Sequence, residues 1–279
     1  MSVELPEARI LARQIGSELP GKRIESCALK DCERLQKIGF MNRDAADYQR
    51  LIGGAVESVV SRGNTVRVKL DNGWNLLVTP EYGGRVLYHA PGEASSERYH
   101  LRLDFTDGAV LTVRLTSMGV IQAVEDDGLD GSYIYRRDFS ETLSPDDERL
   151  TPELFSVLLG DENRMLKGLL VGKNAIVVGL SNSAFQDIAY RAKAHPKRKG
   201  SDLSEDERRA LYGAMRLVID ERLRLGGKDK FLDLYGNRGG YTPAMGPHMK
   251  GQDCPRCGSP IEGLQVSGGV TYICPACQR

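Results

Sequence analysis

Four of the six cysteines in this 279-residue chain stand in two pairs, Cys254-Pro-Arg-Cys257 and Cys274-Pro-Ala-Cys277, with residues 258–273 between them. A C-x-x-C turn aims two thiolates at one centre, and two such turns at hairpin distance close a tetrahedral site. The spacing implies one structural Zn2+ with no open position for catalysis. Two disulfides could use the same residues but would need an oxidising compartment, of which the sequence gives no sign. Cys27 and Cys32 have no histidine nearby and read as buried thiols. A second group is basic: Arg191, Lys193, His195, Lys197, Arg198 and Lys199, bent by Pro196 and preceded by Asn182. Such a cluster can hold backbone phosphates while a helix N-terminus donates N–H groups; the plainer alternative is a solvated basic turn. The third candidate is Glu4, a first-turn carboxylate that the helix dipole favours and that could also transfer a proton.

The elements that must position these groups fall into two halves. Leu5-Pro6-Glu7 opens a helix whose stripe is Ala8, Leu11, Ile15 and Leu19, stopped by Pro20-Gly21. From about residue 22 to 138 the apolar period becomes two, with turns at Asp71-Asn72-Gly73 and Asp107-Gly108, which predicts a β-sandwich or barrel-like sheet. Residues 143–147 read as a linker, and the period then becomes helical. Short helices are expected from Thr151-Pro152-Glu153, over 164–171 and over 182–194, with Asn182 as N-cap of the last. Ser204-Glu205-Asp206-Glu207 is a capping box for a long helix that turns Leu211, Met215, Val218 and Ile219 inward and ends at Gly226-Gly227. Val270-Thr271-Tyr272-Ile273 reads as a strand of the metal hairpin. The expected class is therefore α+β in two domains: 1–140 an N-terminal helix and β-sandwich, 141–248 helical, and 249–279 a zinc hairpin appended to the second.

Composition narrows the partners. Lys+Arg and Asp+Glu both number 38, so a histone-like blanket of positive charge is excluded and any nucleic-acid contact must use a local basic face. The absence of a long apolar run and of a basic-then-apolar start predicts a cytoplasmic protein without membrane insertion.

Taken together, Glu4-Leu5-Pro6-Glu7, the 177–182 segment Val-Val-Gly-Leu-Ser-Asn, His195-Pro196-Lys197-Arg198, the 236–241 loop and the terminal cysteine pairs resemble, in order, the formamidopyrimidine-DNA glycosylase and endonuclease VIII family. The resemblance implies a helix-two-turns-helix element in the second domain and damaged or abasic DNA as partner, bound by a monomer with the damaged base turned out. It further implies phosphate contacts from Asn182 and Lys167, beside His195, Lys197 and Arg198; the 236–241 loop reads as a mobile surface loop, with a lesion-capping flap as the alternative.

The chemistry that the resemblance implies is altered here. Members attack the sugar with the amine of an N-terminal proline, but this chain has Val3 in that position and Ser2 ahead of it. An amine on Ser2 lies one residue out, about 3.5 Å, and misplacement by about 1 Å can cost on the order of a hundredfold. Asn64 stands for the family's hairpin lysine, Glu81 and 116–118 for the side chains that fill a flipped base's gap, and Gly269 for a phosphate-binding arginine, with Arg256 and Lys250 as nearby cations. The expectation is a binder of damaged, abasic or bent DNA with impaired Schiff-base chemistry. The alternatives are an active glycosylase/AP lyase using Ser2 or a Glu4-activated water, and an RNA-binding relative.

Overall fold

A computed structural model describes residues 3–81, 83–116, 118–139 and 141–279. Helix α1 (Leu5–Glu18) forms where Pro6 occupies the first turn, and Glu4 and Glu7 make a reciprocal capping box: Glu4 N–H donates to Glu7 Oε2 at 3.0 Å, and the Glu4 carboxylate accepts from the Glu7 backbone. Ala8, Leu11, Ile15 and Leu19 are all buried, as the stripe predicts, and each large aliphatic among them contributes roughly 1.5–3 kcal/mol of transfer free energy.

The strands that follow are β1 (Ile24–Leu29), β2 (Val56–Arg62), β3 (Thr65–Leu70), β4 (Trp74–Thr79), β5 (Arg85–His89), β6 (Leu101–Phe105), β7 (Val110–Arg114) and β8 (Val120–Glu125), with the short helices α2 (Glu33–Lys37) and α3 (Ala46–Gln49) after β1. They divide into two antiparallel four-stranded sheets, ordered β1-β6-β7-β5 and β2-β3-β4-β8. The expected turns join β3 to β4 and β6 to β7. Alternate residues Leu101, Leu103 and Phe105 point into the core, the period-two signature of a half-buried strand. The acidic stretch after β8 is exposed but ordered as a 3-10 turn (Asp126–Gly131), and helix α4 (Tyr133–Phe139) follows.

The remaining helices are α5 (Pro152–Gly160), α6 (Leu166–Leu170), α7 (Asn182–Arg191) and α8 (Glu205–Arg224), and strands β9 (Glu262–Val266) and β10 (Gly269–Ile273) close the chain. Thr151 caps α5 by accepting from Leu154 N–H, and Ser204 and Glu207 make the expected box at α8. One cap differs from expectation. Ser181, not Asn182, is the N-cap of α7: its backbone is extended and its hydroxyl accepts from Ser183 N–H at 3.3 Å, which places Asn182 inside the first turn. The α+β class stands. No helix among the described residues is long and apolar enough to cross a membrane.

The chain forms two compact units, 1–140 with 225–240, and 141–224 with 241–279. The sequence reading assigned 225–240 to the helical domain. Long-range bonds explain why it joins the first unit instead: Lys228 Nζ lies 2.9 Å from Glu4 Oε2, Gln14 Oε1 accepts from Leu234 N–H at 3.0 Å, and Leu234 O accepts from Tyr88 N–H at 2.9 Å. The zinc-spaced cysteines belong to the second unit, with α5 to α8.

Candidate nucleic-acid interface and zinc centre

In the second unit the four paired cysteines converge, their sulfurs all within 4.8 Å of one another. Cys254–Cys277 is 3.9 Å, Cys257–Cys274 3.5 Å and Cys257–Cys277 3.4 Å. Tetrahedral zinc with Zn–S near 2.3 Å needs sulfurs about 3.8 Å apart, so this donor set fits one structural zinc. Tyr190 Oη lies 3.3 Å from Cys254 Sγ, and the Arg256 guanidinium sits 4.1 Å over the Tyr190 ring while donating to Tyr190 O at 2.6 Å. Arg256 thus braces the metal turn.

The β9–β10 hairpin is held by the residues expected to hold phosphate. Lys167 is buried on α6 and donates its ammonium protons to Val266 O at 2.8 Å, Thr271 Oγ1 at 3.0 Å and Gly269 O at 3.2 Å. Burial holds its pKa below the ordinary lysine range. Asn182 spans the same hairpin: its Nδ2 donates to Val270 O at 2.8 Å, and its Oδ1 accepts from Thr271 Oγ1 at 3.1 Å. A Cβ added at Gly269 would stand 3.6 Å from Lys167 Nζ. Lys167, Asn182 and Gly269 are thus brought together around Thr271.

The basic turn divides by role. Arg198 is committed to structure, pairing with Glu207 and donating to Asp202 O at 2.6 Å. His195 Nδ1 accepts from Lys197 N–H at 3.3 Å, and burial, then the Lys197 charge, lowers its pKa. Lys193, Lys197 and Lys199 are exposed and have no carboxylate partner among the described residues. Tyr241, expected in a surface loop or capping flap, is instead buried in this unit and donates its hydroxyl proton to Asp187.

In the first unit, Val3 and Glu4 are buried at the start of α1. The Glu4 carboxylate is shared between the capping box and Lys228. Lys228 also donates its backbone N–H to Glu7 Oε1 at 3.2 Å. Sequence reasoning missed Lys228; its only signal was its place just after the Gly226-Gly227 stop, and nothing local ties it to Glu4. Beside Val3 lies a cavity of about 120 Å³, lined also by Arg85, Lys228, Lys230 and Arg238. Ser2 falls outside the described residues.

Asn64, at the β2–β3 turn, donates from Nδ2 to Glu81 Oε1 at 2.9 Å and accepts from the Arg137 guanidinium. Arg137 in turn pairs with buried Asp138 through Nε at 2.6 Å and Nη2 at 2.7 Å. Burial pushes the Glu81 carboxyl upward, with Arg137 and the Asn64 bond opposing. Gly63 is required here: its φ is +55°, and a Cβ would approach the Asp138 carboxylate to 2.6 Å. Of the other positions expected to fill a flipped base's gap, Thr116 and Met118 are exposed, and 117 lies outside the described residues.

Comparison with known proteins fits this geometry. Residues 3–116 match the formamidopyrimidine-DNA glycosylase N-terminal domain, and residues 251–279 match the zinc finger found in FPG and IleRS. A formamidopyrimidine-DNA glycosylase of Roseiflexus is 30% identical over 286 residues, covering 99% of each chain. The chain belongs to the formamidopyrimidine-DNA glycosylase family. A second relative so named, from Chloroflexus aggregans, is 27% identical over 99% of this chain and 98% of its own. Among solved structures, MutM (Fpg) from Thermus thermophilus superposes with TM-score 0.81 at 23% identity over 99% of this chain and 98% of its own. Lactococcus lactis Fpg, solved in complex with DNA containing an abasic site, has TM-score 0.81 at 22% identity over 99% of each chain. This formamidopyrimidine-DNA glycosylase relative therefore keeps the family fold and zinc centre. At the β2–β3 turn it presents an amide held between a carboxylate and a guanidinium.

Proposed function

We propose that this protein is a repair-type DNA binder of its family that recognises damaged, abasic or bent duplex DNA as a monomer, with Schiff-base lyase chemistry impaired. The observation that carries the reading is the Asn64 network. Where the family resemblance puts a lysine beside the lesion phosphate, the Asn64 amide is spent on Glu81 and Arg137. A neutral amide cannot stabilise developing phosphate charge as an ammonium does, and the half-buried Glu81 carboxyl beside it disfavours a stacked base or phosphate. Glu4 supports the same reading, because a carboxylate already shared between a helix cap and an ammonium is a weak acceptor for a further proton.

Binding is assigned to the exposed face of the second unit: Lys197 with Lys193 and Lys199 as diffuse phosphate contacts, and His195 and the backbone of the α7 N-terminus as donors. Asn182 and Lys167 serve it by fixing the hairpin and by presenting whatever donor capacity Thr271 leaves them. Arg198 serves as the brace of the turn. The relatives' names and the abasic-DNA complex of the Lactococcus lactis protein support DNA as the partner.

The test is borohydride trapping on a duplex with one abasic site, with binding read in the same samples. Binding without a covalent adduct or strand cleavage is the expected result. A trapped adduct mapping to Ser2 or Lys228 would overturn the claim of impaired chemistry, and absence of duplex binding would overturn the DNA assignment.

A further inference from the structure

A chain with no net charge must concentrate positive potential somewhere to hold a polyanion, and the first unit does so at a place where, of the lining residues, only Thr116 has been given a role above. Strands β5 and β7 pair so that Arg85 lies directly opposite Arg114. Cross-strand neighbours stand about 4.5–5.5 Å apart, and like charges so placed destabilise a sheet. The two arginines line a cavity of about 290 Å³ together with Arg98 and the hydroxyl-bearing Ser96, Thr112 and Thr116, and no carboxylate lines it among the described residues. All three arginines are exposed, and none has an ion-pair partner among the described residues. Elsewhere in the same unit arginines are neutralised: Arg102 by Asp104, Arg67 by Asp126, Arg23 by Asp71. The cavity shares Gly83 and Arg85 with the smaller one beside Val3, where Lys230 and Arg238 add two further cations. The basic tract thus runs from the start of α1 out along the β5–β7 edge.

We propose that the Arg85–Arg98–Arg114 cavity is a phosphate-binding site for the DNA backbone, taking over contacts that Asn64 and Gly269 do not supply. The proposal rests on the DNA-binding reading above. The chemistry suits the ligand: each guanidinium offers a planar fork of donors that engages phosphate oxygens in pairs, and the threonine and serine hydroxyls supply single donors without adding negative charge. A phosphate in the cavity would also relieve the Arg85–Arg114 repulsion, so binding is favoured by the removal of an existing cost as well as by new contacts.

The experiment measures affinity for an abasic-site duplex across a salt series, for the wild-type chain, Arg85→Gln/Arg114→Gln, Arg98→Gln, and Arg23→Gln as a salt-bridged control on the same unit. These positions are exposed, so the variants fold. The double variant is expected to bind about tenfold more weakly at 0.1 M salt and to lower the slope of log K against log[salt] by about 0.9 for each phosphate released. Arg98→Gln is expected to move in the same direction by less, and Arg23→Gln to match the wild type. A double variant with wild-type affinity and slope overturns the site while leaving the DNA reading intact. A wild-type chain that binds no duplex overturns both. Loss of inorganic-phosphate binding in the double variant with an unchanged DNA slope would also overturn the assignment, since the cavity would then take free phosphate only.

Discussion

The two units use their basic residues differently. In the second, Lys167 donates to three oxygens of one hairpin and Arg198 is paired with Glu207, so charges that read as phosphate ligands are consumed in holding the zinc finger and its turn. In the first, Arg85, Arg98 and Arg114 gather around one cavity that no carboxylate lines among the described residues. Buried, satisfied cations cost desolvation and return rigidity, whereas exposed cations set against each other retain their field for a ligand. A basic residue's contribution to binding therefore depends on what already claims its protons.

Breaking the metal site should give the largest effect. Structural zinc contributes on the order of 10–16 kcal/mol in isolated finger peptides. Cys274→Ser is expected to bind less than one zinc per chain and to lose amide-exchange protection across β9 and β10; a variant that kept its metal and protection would contradict the structural role. Next comes the buried pair at the start of α1. Lys228→Met takes the ammonium away from the buried Glu4 carboxyl group and should destabilise the first unit by about 3–5 kcal/mol in urea unfolding, with a Glu4→Gln/Lys228→Met double variant recovering a substantial part. Additive losses in the double variant would mean that the pair is not coupled.

Lys167→Met sharpens the contrast between the units. Three acceptors lose a donor, so a stability loss of about 1–3 kcal/mol is expected, with faster exchange in the β9–β10 hairpin. If Lys167 is a brace, the salt dependence of DNA binding stays at the wild-type slope; a slope reduced by about 0.9 would make it a phosphate ligand instead.

The smallest effect is a pH dependence beside the arginine cavity. His100 has its pKa lowered by burial and then by Arg114, and its Nδ1 accepts from Leu115 N–H at 3.0 Å. The unfolded chain therefore binds the proton more readily than the folded one, so stability rises with pH across the window between the lowered value and the ordinary one of about 6.5. Melting temperature should fall as pH drops from 7.5 toward 5.5. His100→Asn, which keeps an acceptor near the Nδ1 position, should flatten that fall; an unflattened profile would place the proton uptake on His89 or His195, which burial also lowers.

Features written over a few residues were legible in the sequence. The cysteine spacing, the α1 stripe, the Thr151 cap, the Ser204–Glu207 box and the turns at 71–73 and 107–108 each depend on neighbours within one turn or hairpin. What stayed hidden depends on partners far along the chain. Glu4 read as a free first-turn carboxylate because Lys228 lies 224 positions away. Arg198 read as a phosphate ligand because helical spacing does not show that Glu207 returns to it. Nothing in the sequence pairs Arg85 with Arg114, 29 positions apart; the order of strands does, by placing β5 beside β7. The Ser181 cap was misassigned by one position because adjacent serine and asparagine have nearly equal capping preference.

The return of residues 225–240 to the first unit bears on how the protein is made. Nascent domains ordinarily fold in the order in which they emerge, but this N-terminal layer is missing its Glu4 counter-ion and the Leu234 bonds until residues 225–240 have left the ribosome. At 5–20 residues per second that interval is on the order of tens of seconds, during which the start of α1 holds a carboxylate with no ammonium to meet it. Ribosome-bound chains stopped before residue 225 should therefore be more protease-sensitive at α1 than chains extended beyond residue 240, so that a segment made late completes one made early.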